Sequence, residues 1–180
     1  MALNLSKLKG LEDSALVERA LEGERRAFSE LVRRHQSQVY RVCYRILGQR
    51  EDARDAAQEA FIRAYNRLDT FQGRSAFSTW LTRLAVNVSL NQRGKRSALP
   101  LEESPAEASP GPEAEAMRSD DAARLHAALQ KLQENHRAAL VLHDLEGLSW
   151  EEAAAALAVP EGTARSWAHR GRNRLKDLLT

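Results

Sequence analysis

One cysteine stands in 180 residues, so no internal disulfide can form and a disulfide-stapled secreted fold is excluded. That residue, Cys43, falls on an apolar helical face and reads as a small core side chain. No apolar run reaches the roughly 20 residues a membrane helix needs. The opening MALNLSKLKG is too short and too polar for a secretory signal. With 29% charged residues and negative mean hydropathy, the expectation is a soluble cytoplasmic protein without membrane insertion. A Gly-rich phosphate loop, a zinc-type Cys/His set and an HExxH motif are all missing, and the five histidines are scattered. No nucleophile sits at a useful spacing from a base. Neither an enzyme, a metal site nor a cofactor is expected. Aromatics are scarce, ten in all, so their clustering carries information.

Charge is present but unevenly placed. The net value is only +2, yet Ser97 to Asp121 holds seven acids and one base and carries −6, leaving +8 on the remainder. Two basic blocks joined by an acidic strap point to polyanionic partners. Four of the five prolines lie in that strap, which cannot bury enough apolar surface to offset its ordering entropy and reads as a linker. On both sides the apolar residues recur at steps of three and four. Phe28, Leu31, Val32, Val39, Val42, Cys43, Ile46 and Leu47 mark one helix, stopped by Gly48. Ala53, Ala56, Ala57, Ala60, Phe61, Ala64, Tyr65 and Leu68 mark the next. A third begins near Ser78, and a short one spans about Asp13 to Leu21. Beyond the strap, Leu125, Leu129 and Leu132 lead into a further helical block.

Three constellations carry chemistry. In LSWEEAAAALAVPEGTARSWAHRGRNRLKDLL, Ser149 and Glu152 have capping-box spacing, a short helix follows, and Pro160 and Gly162 mark a tight turn before a second helix. This is helix-turn-helix grammar. From Thr163 to Lys176 the second helix carries five Lys/Arg and no acid, which suits phosphate attraction. The stretch FQGRSAFSTWLTRLAVN concentrates Phe71, Phe77 and Trp80. Phe77 and Trp80 share a helical face and read as core, whereas Phe71 sits in a polar loop suited to stacking on unpaired bases. Asn87 could bond a base edge or a neighbouring backbone group. Asp52, Asp55 and Glu59 line one side of the second helix, either as a solvated face or as a docking patch for a basic partner.

DAAQEAFIRAYNRLDTFQGRSAFSTWLTRLAVNVSLN resembles region 2 of bacterial extracytoplasmic-function (ECF) sigma factors, and LEGLSWEEAAAALAVPEGTARSWAHRGRNRLKDLL resembles their region 4. The resemblance covers nearly the whole chain from about Leu11. It implies an all-α fold of two small helical domains: region 2 over 1–96, a flexible acidic linker over 97–121, and a region 4 helix-turn-helix over 122–180. It implies an alternative sigma factor that binds core RNA polymerase, through the clamp helices of the largest subunit and the flap of the second largest, and promoter DNA, under an anti-sigma factor. Asp55, Gln58 and Glu59 fall at the family's polymerase-binding positions. Phe71, Arg74, Ser75 and Asn87 fall where −10 DNA is opened and read. Pro160, Thr163, Arg165, Ser166, His169, Arg170 and Arg172 match its −35-facing positions. Two departures stand out. Ala164 and Trp167 replace a branched residue and an arginine, and Trp167 cannot make a bidentate guanine contact. Gly171 replaces the usual alanine, at an expected cost to the helix of about 0.5–1 kcal/mol. The competing reading is a helix-turn-helix regulator that binds duplex promoter DNA without polymerase.

Overall fold

The computed structural model describes residues 8–97 and 120–180. Among them are eight α-helices and no strand. The predicted linker falls almost wholly on 98–119, outside the described residues.

The N-terminal unit contains α1 (Asp13–Leu21), α2 (Arg25–Leu47), α3 (Arg50–Asn66), a 3-10 turn (Leu68–Thr70) and α4 (Phe77–Ser97). The predicted stripe of α2 is the buried one, from Ala27 and Leu31 through Val39, Val42 and Cys43 to Ile46. Burial pushes the Cys43 thiol up to about 11, so it is an inert core group. Gly48 ends α2 in the left-handed conformation, φ 86°, open to glycine at no steric cost. The inward face of α3 is alanine: Ala53, Ala56, Ala57, Ala60 and Ala64. Side chains this small let α2, α3 and α4 approach closely, and Phe77, Leu81, Ala85 and Val88 of α4 complete the core. Arg34 fastens the N-terminal segment. It donates to the Leu8, Lys9 and Leu11 carbonyls at 3.2, 2.9 and 2.7 Å and pairs with Asp13 at 3.0 Å.

The C-terminal unit contains α5 (Asp120–Gln130), α6 (Glu134–Leu140), a π-helical turn (Val141–Leu145), α7 (Trp150–Leu157) and α8 (Glu161–Leu179). Its own leucine cluster is small: Leu129, Leu132 and Leu140, flanked by Leu125, Leu145, Leu175 and Leu178. Val141, Leu142, Leu148, Ala153 and Ala156 instead join the core of the N-terminal unit.

The two units are therefore docked. Glu146 bonds Arg45 at 2.6 Å and accepts from Gln38 at 3.4 Å. Arg83 of α4 lies 3.5 Å from Glu152 of α7. The C-terminal end of α2 is capped from the other unit: Gln130 donates to the Arg45 carbonyl at 2.9 Å, and His126 bonds the Gly48 carbonyl at 3.3 Å while stacking on Tyr44 at 4.0 Å. Carbonyls at a helix end lack intrahelical partners, and these side chains supply them.

Candidate nucleic-acid interface

The turn of the C-terminal motif is built as its sequence indicates at one end and differently at the other. Ser149 caps α7 reciprocally: its hydroxyl accepts from the Glu152 amide at 3.1 Å, and the Glu152 carboxylate accepts from the Ser149 amide at 3.0 Å. The left-handed residue that closes α7 is Ala158, φ 53°, and Pro160 is the N-cap of α8. Gly162, expected in the turn, lies inside the first turn of α8.

Ala164, Ala168 and Gly171 form the buried stripe of α8. A Cβ at Gly171 would come within 3.0 Å of the His136 carbonyl and 3.3 Å of a Leu140 methyl. The glycine that costs the helix propensity is what lets α8 lie against α6. With that stripe inward, Arg165, His169, Arg170 and Arg172 are exposed, as is Pro160, and Thr163 and Ser166 are half-buried. Two of these cations are not unopposed, as the acid-free window implied. Arg165 bonds Glu161, and Arg172 donates to Asp144 at 2.8 Å. Both acids stand outside the window read from sequence. Burial, and then the charge of Arg170, holds His136 below its ordinary value.

The sequence left Trp150, His143 and Asp144 unassigned. Both guanidinium carbons lie over the Trp150 ring, 5.6 Å for Arg165 and 5.9 Å for Arg172, and His143 stacks on the indole at 3.5 Å. The usable signal was the scarcity of aromatics: a tryptophan opening the first helix of such a motif has few reasons to be there. Trp167 is half-buried and belongs to neither core cluster.

In the N-terminal unit, Phe71 follows the 3-10 turn and does not stand apart. It is half-buried, set edge-on to Phe77 at 5.6 Å and against Trp80 at 5.4 Å, with Phe77 and Trp80 5.7 Å apart. An apolar ring beside two others leaves water for them, so all three form one cluster. Gly73 takes φ 67° in the loop, Arg74 is exposed and Ser75 half-buried. Asn87 is exposed on α4, about 15 Å along the axis from Phe77 at 1.5 Å per residue. The loop and Asn87 thus bracket a length of about four nucleotides at 3.4 Å each.

On α3, Asp55 and Gln58 are exposed, and Glu59 is partly exposed and paired with Arg63 at 2.7 Å. Asp52 does not belong to an acidic surface, because it is buried. Beside Gln58 runs a groove of about 480 Å³ between α2 and α3, lined by Phe28, Val32, Tyr40, Phe61 and Tyr65. Ile62 and Tyr65 at its edge are about half exposed, at 48% each. No described helix is long and apolar enough to cross a membrane.

Comparison with known proteins agrees with this division. Residues 31–98 match the Sigma-70 region 2 family and residues 122–175 the Sigma-70, region 4 family. The chain is 38% identical to the RNA polymerase sigma-H factor of Pseudomonas aeruginosa, over 93% of this chain and 94% of that one. It is 36% identical to the ECF RNA polymerase sigma-E factor of Escherichia coli K12, over 94% and 95%. Among solved structures, it is similar to CnrH in complex with the cytosolic domain of CnrY, with TM-score 0.67, 28% identity and coverage of 93% and 96%. It is also similar to the sigma factor RpoE bound to the anti-sigma factor NepR from Bartonella quintana, with TM-score 0.68, 26% identity and coverage of 84% and 96%. The helix-turn-helix with its basic face, the separate helical unit bearing the aromatic loop, and these likenesses over nearly the full length converge: the chain belongs to the ECF family of RNA polymerase sigma factors.

Proposed function

We propose that this alternative sigma factor binds core RNA polymerase through α3, opens and reads the −10 element with the Phe71–Asn87 segment, and reads the −35 element with α8. Three segments divide the work: 1–96 for polymerase binding and −10 recognition, 97–121 as tether, and 122–180 for −35 recognition. Asp55, Gln58 and Glu59, beside the apolar groove, meet the clamp helices of the largest subunit, and the C-terminal unit meets the flap of the second largest. Arg74, Ser75 and Asn87 hold unpaired −10 bases, with Phe71 stacked at the rim of its aromatic cluster. Taking a base from the stack costs a few kcal/mol, which stacking and edge contacts offset. Pro160, Thr163, Arg165, Ser166, His169, Arg170 and Arg172 face the −35 duplex. The protein acts in the cytoplasm and contributes no catalysis of its own.

The observation that carries the reading is that an exposed basic helix and an aromatic loop with exposed Arg74 and Asn87 sit on two units of one chain. A duplex reader needs only α8 and has no use for Arg74 and Asn87. The docked form cannot engage both elements at once. Their separation, about 25 base pairs, is about 85 Å, whereas a compact chain of this length has a radius of gyration of about 16 Å. The units must part on the promoter, and the docked form is the one an anti-sigma factor would hold. The likeness to the sigma factor RpoE solved with the anti-sigma factor NepR supports that control.

Run-off transcription with core polymerase on a promoter library tests the assignment. Transcripts should depend on both elements. Asn87→Ala should impair opening while polymerase affinity holds, and Asp55→Lys with Glu59→Lys should weaken polymerase binding. Equal open-complex formation by Asn87→Ala on every promoter would remove that residue from the site. Specific binding to duplex promoter DNA with no response to polymerase would favour an ordinary regulator.

A further inference from the structure

We propose that Trp150 is a positioning residue for −35 recognition: its indole holds Arg165 and Arg172 of α8 in a fixed pair before DNA arrives. The inference rests on the assignment of α8 as the −35 reader.

Arg165 and Arg172 are seven residues apart, two turns and about 10.5 Å along α8. One ring lies under both guanidinium carbons, at 5.6 and 5.9 Å. Both distances are within the range at which a cation is drawn to an indole face. The ring itself is anchored. Trp150 is the first residue of α7, directly after the Ser149 capping box. His143 stacks on it at 3.5 Å, and His143 Nδ1–H donates to the Leu148 carbonyl at 2.8 Å. The π-helical turn over Val141–Leu145 brings His143 to the ring and Asp144 to Arg172. Such turns recur at functional sites because they re-aim side chains that a regular helix would point elsewhere.

Packing does not account for Trp150, which is half-buried and belongs to neither core cluster. A free arginine loses rotamer freedom when it meets a base edge, and that loss weakens binding. Here the ring and the two carboxylates have restrained both side chains in advance. The two restraints differ in what they do when DNA binds. Glu161 and Asp144 compete with phosphate and guanine for the same N–H donors, whereas an exposed ion pair holds them only weakly. A cation–π contact uses none of the guanidinium N–H donors, so once the carboxylates yield they are available for a bidentate contact.

Full-length protein with core polymerase provides the test, on templates carrying the preferred −35 sequence from the promoter library and substituted versions of it. Trp150→Leu should reduce discrimination between the templates about fivefold to thirtyfold, the size of two exposed cation–π contacts. The slope of log affinity against log salt should change by less than about one, since no cation is lost. Trp150→Tyr should stay within about threefold of wild type, because a phenol ring still offers a face. Arg165→Ala with Arg172→Ala should lose at least as much discrimination and lower the slope by about two. Adding Trp150→Leu to that pair should then do nothing more. Full discrimination in Trp150→Leu, equal loss in Trp150→Tyr, or further loss in the triple variant would each overturn the proposal. Full discrimination in the double arginine variant would instead sink the assignment of α8. A measurement on the unaltered protein guards against misfolded variants. The Arg165 and Arg172 Nε–H resonances should be shifted upfield by the ring current, and values typical of free arginine for both would refute the platform.

Discussion

The two helical units solve the same burial problem in different ways. The N-terminal unit surrounds an alanine-lined α3 with long helices and closes its core mainly with its own residues, from Leu16 and Leu31 to Phe77 and Val88. The C-terminal unit keeps only three fully enclosed leucines in its own cluster and lends Val141, Leu142 and Leu148 to its neighbour. Small domains bury a smaller fraction of their surface and are correspondingly marginal. One unit is therefore a platform, and the other is a reader steadied by docking. The residues proposed to bind polymerase and to open the strands sit on the platform. The helix proposed to read duplex DNA sits on the docked unit.

Putting a carboxylate into the shared core is the strongest way to break this relation. Leu142 is fully buried. An unpaired charge there costs about 3 kcal/mol or more unless it reaches water. Undocking hydrates it while leaving the N-terminal helices intact. Leu142→Asp should therefore shift the docked form at least a hundredfold toward the open one. Small-angle scattering should show a larger radius of gyration, and circular dichroism should retain most of the helix signal. A compact scattering profile with native stability would contradict the division into platform and reader.

Periodicity made the helices readable, because steps of three and four identify an apolar face. Gly48 and the Ser149–Glu152 pair marked ends through their local chemistry. Periodicity does not say what an apolar face meets. Val141, Leu142 and Leu148 look like core residues of their own unit, and only the assembled fold places them in the other. The same gap explains the site. The exposed cations of α8 and the exposed Asn87 follow from helix geometry, but the acids that meet Arg165 and Arg172 lie outside the basic run. Helical spacing puts Asp52 on an acidic face, yet it is turned inward. The sequence separates Phe71, in its loop, from Phe77 and Trp80 on their helix, because contact across a turn leaves no periodic trace.

Gly171 sharpens the contrast at smaller scale. Helix propensity favours alanine there by about 0.5–1 kcal/mol. The added methyl would press on the His136 carbonyl at 3.0 Å, and overpacking of this kind costs about 1–3 kcal/mol. The two terms leave Gly171→Ala destabilising by about 1 kcal/mol. The loss should fall on the C-terminal unit, lowering protection of its amides in hydrogen exchange while those of α2 and α3 stay unchanged. A variant that gains stability would show that α6 and α8 can part at no cost.

The smallest effect expected is on docking as pH falls. His126 stacks on Tyr44 and bonds the Gly48 carbonyl across the interface. Burial is the largest influence on it and holds its pKa below the ordinary 6.5; the hydrogen bond to Gly48 opposes this, and the charges of Arg137 and Arg50 reinforce it. A histidine kept neutral when docked and free to protonate when released contributes fully above pH 6.5, and its contribution is lost as pH falls below that value. Glu146 acts in the opposite sense. Burial raises its pKa despite Arg45, so its contribution is present below the ordinary 4.5 and declines as pH rises through the carboxylate range. The interval from pH 7.5 to 6 spans the ordinary histidine value and lies above the ordinary carboxylate value of 4.5, so the histidine should dominate there. Scattering over the interval should therefore show a modest shift toward the open form on acidification. His126→Phe retains a ring against Tyr44 and should flatten the response. The same pH profile in His126→Phe would assign the change to groups outside this interface.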